Sequence, residues 1–262
     1  MTVPFFKEIL TEPALRDFVS LSLDRGKIDA ECLDLVMEMA HGNRDLHINH
    51  TNVPENYSHK NAFKFDFIYY KDARWVRVDD LFTLKNSYSV RLGWNKLTYS
   101  DMNNYIKYWI ESGHDMVEML ELYSRQPIQP ESLFNGIVTL KNPRYSPSTY
   151  LVAANPTKQR KYQMMGVVWF EEKIYCYCKE VSLQSDGNVD NDSWVPEYKA
   201  LMVLNKKKEL EAELKEIQKL LETSQDQNIV KKKNEISREL QNVSQELAGY
   251  NLVFRDGVYS LE

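Results

Sequence analysis

Leu97-Thr98-Tyr99-Ser100-Asp101-Met102-Asn103-Asn104-Tyr105-Ile106-Lys107-Tyr108-Trp109-Ile110 is the stretch on which the fold turns. Met102, Tyr105, Ile106, Trp109 and Ile110 recur at helical spacing, so they line one face of an amphipathic helix. Thr98 stands where an N-cap hydroxyl belongs, and Asp101 follows as a short acidic partner for a capping box. Gly113 supplies the stop. Tyr88–Trp94 before this helix and Met119–Tyr123 after it read as strands. A strand, a helix and a strand in so short a span predict a right-handed parallel crossover.

Looser copies of the pattern extend outward. Leu46–Ile48 reads as a short strand. Phe63–Tyr70 reads as another, because Phe63, Phe65 and Phe67 alternate with Lys64 and Asp66. Val78–Leu84 and Pro130–Ile137 read as short helices and Thr149–Ala153 as a strand. Ile28, Cys32, Leu35 and Met39 mark one helical face, with Gly42 just beyond it. Pro4 and Pro13 interrupt the first residues, where Glu12–Leu23 reads as one short helix. Met165–Phe170 and Lys173–Lys179 flank Glu171-Glu172 as an antiparallel hairpin. The expected fold class is therefore α/β. It comprises irregular leucine-rich-repeat-like strand–helix units of roughly 25–35 residues, then this hairpin, then a helical region.

That region announces itself by composition. Residues 199–248 contain neither Pro nor Gly and are dominated by Lys and Glu. Leu210, Leu214, Ile217 and Leu221 form one seam, and Ile236, Leu240, Val243 and Leu247 form another. Continuing the first register would place Ser224, Asn228, Lys231 and Glu235 on the seam, so it breaks near Thr223–Asn228. Two outcomes remain open: a helical hairpin within one chain, or a coiled coil that forms a homodimer through 199–248. The expected organisation is an N-terminal segment at 1–28 and an α/β domain at 29–183. A polar linker at 184–198, the charged helices at 199–248 and a terminal strand segment at 249–262 follow.

A net charge of −5 speaks against a general nucleic-acid binder, which needs a basic excess to neutralise phosphates. Lys206-Lys207-Lys208 and Lys231-Lys232-Lys233 sit amid Glu and read as solvated helix faces. No apolar run approaches the length of a membrane span, so no membrane partner is expected. The first residues carry no basic leader. Three cysteines, Cys32, Cys176 and Cys178, form no disulfide framework, and the expected compartment is cytoplasm or nucleus.

Catalytic signatures are missing. There is no Gly-rich phosphate loop, no Ser nucleophile elbow and no paired His on a helix. His47, His50 and His59 match no zinc spacing and read as surface histidines. Cys176 and Cys178, two apart on a strand, read as half-buried neighbours on one face. Asp79 and Asp80 suit the start of a short helix, and Arg255-Asp256-Gly257 suits a turn. Trp94 and Trp109 read as core packing, with a binding hot spot as the alternative. No catalytic, cofactor or metal residue is assigned. A hydrolase would need a deep pocket holding His47 and a carboxylate.

Asp79-Asp80-Leu81-Phe82-Thr83-Leu84, Tyr88-Ser89-Val90-Arg91-Leu92, the helix quoted above and Met116-Val117-Glu118-Met119-Leu120-Glu121-Leu122 together resemble the nematode F-box-associated domain, type 2. Asp101, Asn103, Lys107 and Trp109 occupy the matching motif positions, where the resemblance implies structural or binding roles. Met102, Tyr105 and Ile106 stand in for the family's apolar residues. The resemblance implies a non-catalytic protein-binding module of the substrate-recognition kind found in cullin–RING ubiquitin ligases. Its implied partners are a protein substrate and the ligase adaptor subunit. Residues 1–28 do not read as the Leu-Pro-rich F-box that would dock on the adaptor, so a complete N-terminal F-box is not expected here. The alternative is a structural or self-associating protein that uses the C-terminal helices.

Overall fold

The computed structural model describes residues 3–13, 17–124, 127, 129–141, 149–181, 194–223, 226–255 and 257–261. The chain divides into two compact units. One comprises Met1–Asn135 with Ala154–Glu180, and the other Gly136–Ala153 with Val181–Glu262.

The first unit is built on a mixed sheet whose strands are β1 (Ser20–Leu23), β3 (Asp45–Ile48), β5 (Phe67–Asp72), β6 (Ser87–Trp94), β7 (Val117–Tyr123), β11 (Lys173–Lys179) and β10 (Met164–Phe170), in that spatial order. The first five run parallel and in chain order. β11 pairs antiparallel with β7, and β10 closes an antiparallel hairpin onto β11. A separate parallel pair joins β2 (Gly26–Lys27) to β4 (Thr51–Asn52). The helices are α1 (Val3–Thr11), α2 (Ala30–Met37), α3 (Val78–Leu81), α4 (Tyr99–Glu111) and α5 (Pro130–Leu133).

Helix α4 starts where its sequence says it should. Thr98 Oγ1 accepts the Asp101 amide at 3.2 Å, while the Asp101 carboxylate accepts the Thr98 amide at 2.8 Å. The box closes with Asp in place of Glu because the Thr98 hydroxyl also donates to that carboxylate at 2.7 Å. Met102, Tyr105, Ile106 and Trp109 are buried. They share the inner side of the sheet with Ile68, Tyr70, Val90, Leu92, Leu120, Leu122, Ile174, Cys176 and Cys178. Burying a residue such as Leu or Ile there contributes about 1.5–3 kcal/mol against exposing it. Helix α2 is capped by Asp29, which accepts the Cys32 amide at 2.8 Å, and Met37 on this helix reaches the Tyr70 hydroxyl.

Two local expectations are corrected. Phe63 and Phe65 are buried, but they precede the strand, which begins at Phe67. Backbone bonds from Ala62 to His59 and from Lys64 to Asn61 wind this segment into turns. Phe63 thereby packs edge-on against Tyr70 at 5.9 Å, which an extended neighbour could not do. Ser20–Leu23 is the strand β1, not the end of a helix, and pairs in register with Asp45–Ile48. The helix lies earlier, at Val3–Thr11, with Pro4 in its first turn, where a missing amide costs nothing.

The second unit carries β8 (Leu140–Lys141), β9 (Thr149–Ala153) and the hairpin of β12 (Leu252–Arg255) with β13 (Val258–Leu261). β8 pairs antiparallel with β9 and parallel with β13. Helices α6 (Val195–Thr223) and α7 (Gln227–Ala248) pack on each other. The first helix thus begins at Val195, inside the stretch read as a linker; Gln184–Ser193 lies outside the described residues. Val203, Leu210, Ile217, Ile236 and Val243 form the buried seam, flanked by Leu214, Leu221, Leu240 and Leu247. Lys206 meets Glu239 and Lys232 meets Glu213, each at 2.6 Å, which fixes the antiparallel direction. These exposed pairs set register and contribute little stability. Asp226 caps α7 through the Asn228 amide at 2.8 Å, where the seam was expected to break.

Candidate functional site

Parallel strands deliver their C-terminal ends to one side of a sheet, where the connecting loops leave a crevice. In the first unit a groove of about 780 Å³ opens there, at the ends of β5, β6 and β7 and the start of α4. Its floor is apolar: Met102, Leu122 and Ile174 line it and are buried. Aromatic rings ring the opening, with Trp94, Tyr99 and Tyr123 all on the lining. Trp94 is 55% exposed, an unusual position for so large a ring.

Asn95 holds the groove together. Its Nδ2 donates to the Gly93 carbonyl at 2.8 Å and to the Tyr123 carbonyl at 3.0 Å, while its Oδ1 accepts the Leu97 amide at 3.1 Å. One amide therefore ties β6 to β7 and sets the turn into α4. On the β5 side Arg74 donates from Nε and Nη2 to Asp72 at 2.8 and 2.6 Å. The Arg74 hydrogen bonds hold the Asp72 carboxyl below its ordinary value. The Tyr123 hydroxyl donates to Glu172 at 3.0 Å, and the Tyr99 hydroxyl to the Pro127 carbonyl at 2.5 Å. Burial pushes the Tyr99 phenol up.

The named polar groups of the groove are already hydrogen-bonded, and among the described residues no histidine or cysteine lines it. His47 lies elsewhere, stacked on Phe67 at 4.9 Å. His50 contacts Lys71 at 3.0 Å, and His59 pairs with Glu38 at 3.2 Å. Among the described residues no group of three His, Cys, Asp or Glu is placed to hold a metal ion. A smaller hollow of about 350 Å³ at the opposite strand ends holds Asp66, Asp115 and Glu118. Asp115 is engaged by the amides of Lys161 and Tyr162, and Glu118 by the Tyr162 hydroxyl.

The four motif residues are distributed along α4. Asp101 closes the cap. Asn103 is buried, and its Nδ2 donates to the Leu133 and Asn135 carbonyls at 2.8 and 3.0 Å, tying α4 to α5 and the turn after it. Trp109 is 1% exposed and lies beneath the Arg160 guanidinium, 3.9 Å from its ring centroid. Arg160 also donates to the Trp109 carbonyl at 2.6 Å. Lys107 projects from the exposed side, beside Tyr108, which stacks on Phe82 at 4.4 Å. None of the four lines the groove, although Asp101 and Asn103 flank its residue Met102.

Trp109 is core, as expected, but Trp94 is not. Asn95 and Arg160 were not singled out at all. The local signal for Asn95 is its place between a strand-ending Gly93-Trp94 and the Thr98 cap. Arg160 offers none, since it meets Trp109 from 51 residues away. Cys176 and Cys178 do share one buried face, and both are free thiols.

Residues 57–122 match the model of the family described as F-box associated. Modules of that family serve protein interaction without catalysis, in a role akin to substrate recognition. No curated protein and no solved structure matches the chain.

Proposed function

We propose, taking the F-box-associated match at residues 57–122 as premise, that this chain is a non-catalytic protein-binding module that recruits a protein through the groove at the strand ends. The observation that carries this reading is Trp94, 55% exposed on the rim of an apolar-floored groove. Exposed tryptophans beside such hollows are the residues most often found at the energetic centre of interfaces. The polar groups around it are mutually satisfied, so a partner's apolar side chain can enter without stripping a hydrogen bond.

In this reading the binding body is the first unit, which takes in β1 ahead of the expected 29–183 boundary and excludes Gly136–Ala153, while the helices start at Val195 and not at 199. Five parallel strands in chain order support a leucine-rich-repeat-like arrangement of strand–helix units. Asp101, Asn103 and Trp109 position the groove by anchoring α4, and Lys107 is the motif residue available to a partner. The partner is a protein substrate, with a ubiquitin-ligase adaptor as the further contact that the family suggests. Cytoplasm or nucleus is the compartment where such a ligase acts; no described helix is long and apolar enough to cross a membrane.

Proximity labelling with the intact chain tests the reading. Trp94→Ala should lose most labelled proteins while retaining a native circular dichroism spectrum. An unchanged set would refute the groove as the recruiting surface. Absence of adaptor and cullin subunits from the wild-type set would remove the ligase link alone. Self-association through 199–248 is less favoured, because both apolar stripes face each other within one chain. A dimer by light scattering that vanished on deleting 199–248 would restore it.

A further inference from the structure

The inner side of the first unit's sheet is filled by helices, and its outer side carries large half-buried side chains. Two cross-strand rows define that outer side. Phe67, Ser89, Met119 and Tyr177 lie opposite one another, and Tyr69, Arg91, Glu121 and Tyr175 do likewise. On β5, β6, β7 and β11 this side presents Lys71, Arg91 and Lys173 against Glu121, with Asp45 of β3 in register beside Phe67. The surplus is positive on a chain whose net charge is −5, so it is a local feature and not a reflection of composition.

Glu121 does not satisfy both of its cationic neighbours. Lys173 holds it at 2.7 Å, whereas Arg91 stands at 3.6 Å, beyond hydrogen-bond reach. Arg91 Nε is buried and has no hydrogen-bond partner. Its guanidinium lies over the Phe67 ring, 5.1 Å from the centroid, and the side chain is 41% exposed. A planar guanidinium is thus pre-set on an aromatic platform, and the carboxylate beside it is shared: Glu121 Oε1 meets Lys173, while Oε2 faces Arg91 Nε only at long range. A carboxylate arriving from solvent would meet the guanidinium at its terminal nitrogens, as a charge-assisted pair closer than the 3.6 Å contact to Glu121.

We infer that this outer sheet face, centred on Arg91, is a docking surface for an acidic segment of a protein partner, read by its carboxylates. Phe67, Tyr69 and Tyr175 flank the guanidinium and supply ring surface for the partner's backbone and apolar side chains. Lys71 and Lys173 extend the positive field along the strands and steer an acidic segment onto it. This surface is additional to the Trp94 groove and does not depend on it.

The test uses the full chain and a fluorescein-labelled poly-Glu peptide, read by fluorescence anisotropy. Wild type should bind, and binding should weaken steeply between about 20 and 200 mM salt as screening tightens. Arg91→Met should weaken binding about tenfold or more. Lys215→Met, which removes the same charge from the exposed side of α6, should leave it unchanged. Glu121→Gln removes the internal competitor and should tighten binding, a direction that misfolding cannot mimic. Trp94→Ala should bind the peptide as wild type does, which separates this surface from the groove. No poly-Glu binding, equal loss in Arg91→Met and Lys215→Met, or preference for poly-Lys would each overturn the proposal. So would binding of a phosphoserine peptide with none of poly-Glu.

Discussion

Gly93 and Lys71 face each other across β6 and β5 so closely that a Cβ on the glycine would run into the Lys71 carbonyl oxygen. The obstacle is backbone of the neighbouring strand, so no side-chain rotation relieves it. The absence of a Cβ lets the two strands close at the point where Trp94 leaves the sheet. Ala73 then donates its amide to the Trp94 carbonyl at 2.7 Å. Gly93→Ala should therefore lower unfolding free energy by about 1–3 kcal/mol. Urea denaturation will show this as a lower midpoint at unchanged slope. A wild-type midpoint would mean that the strands have slack there.

The motif residues of α4 divide by environment. Asn103→Ala would leave the Leu133 and Asn135 carbonyls without their shared donor, at a cost of about 1–3 kcal/mol. Lys107→Ala, on the exposed side, should stay within about 0.5 kcal/mol of wild type. Thermal melts of the two variants side by side suffice. Equal losses would contradict the division.

All three cysteines are buried, and burial pushes each thiol up, Cys176 to about 12. The reactive thiolate is thus both scarce and shielded in the native state. Ellman's reagent at neutral pH should release no colour from the folded chain within minutes, and three equivalents after denaturation. Rapid release of two equivalents from the native protein would show that β11 opens readily, and of one that α2 does at Cys32.

Asp72 makes stability depend on acid. Its hydrogen bonds from Arg74 depress the folded-state pKa below the unfolded value of about 3.9. The pair therefore contributes stability above about pH 4, and that contribution is lost as pH falls through the lower folded value. Arg74 is 44% exposed, so solvent screens the effect and keeps it modest. Asp72→Asn should be less stable than wild type at pH 7, and the two should converge as unfolding is followed from pH 6 down to pH 3. A gap that persists at the acid end would point to packing as its source.

Where sequence and fold agree, the cause is local. The Thr98–Asp101 box and the spacing of Met102, Tyr105, Ile106 and Trp109 specify α4 without outside help. The hairpin around Glu171-Glu172 is likewise legible from its turn position. The failures are non-local. Phe63 and Phe65 alternate with polar residues as a strand would, yet turns without Gly or Pro bury both ahead of the strand and place Phe63 against Tyr70. Ser20–Leu23 is a short edge strand whose pairing with Asp45–Ile48 leaves no trace in its own composition. Trp94 leaves core and hot spot both open in sequence, because a tryptophan at a strand end looks the same whether it turns inward or out. The Asn95 clamp depends on a carbonyl of Tyr123, which only the parallel pairing of β6 and β7 brings near.

The antiparallel addition of β11 to β7 also sets a clock. Strand β7 ends at Tyr123, but the strand that covers its free edge spans Lys173–Lys179. During synthesis the parallel strands from β1 to β7 emerge first and present an unpaired row of amides and carbonyls along β7. At a few to twenty residues per second, that edge waits several seconds for its partner, while part of the second unit's chain, Gly136–Ala153, is made in between. A nascent chain halted before Lys173 is thus a sheet with an open border, and one carried past Lys179 has that border closed.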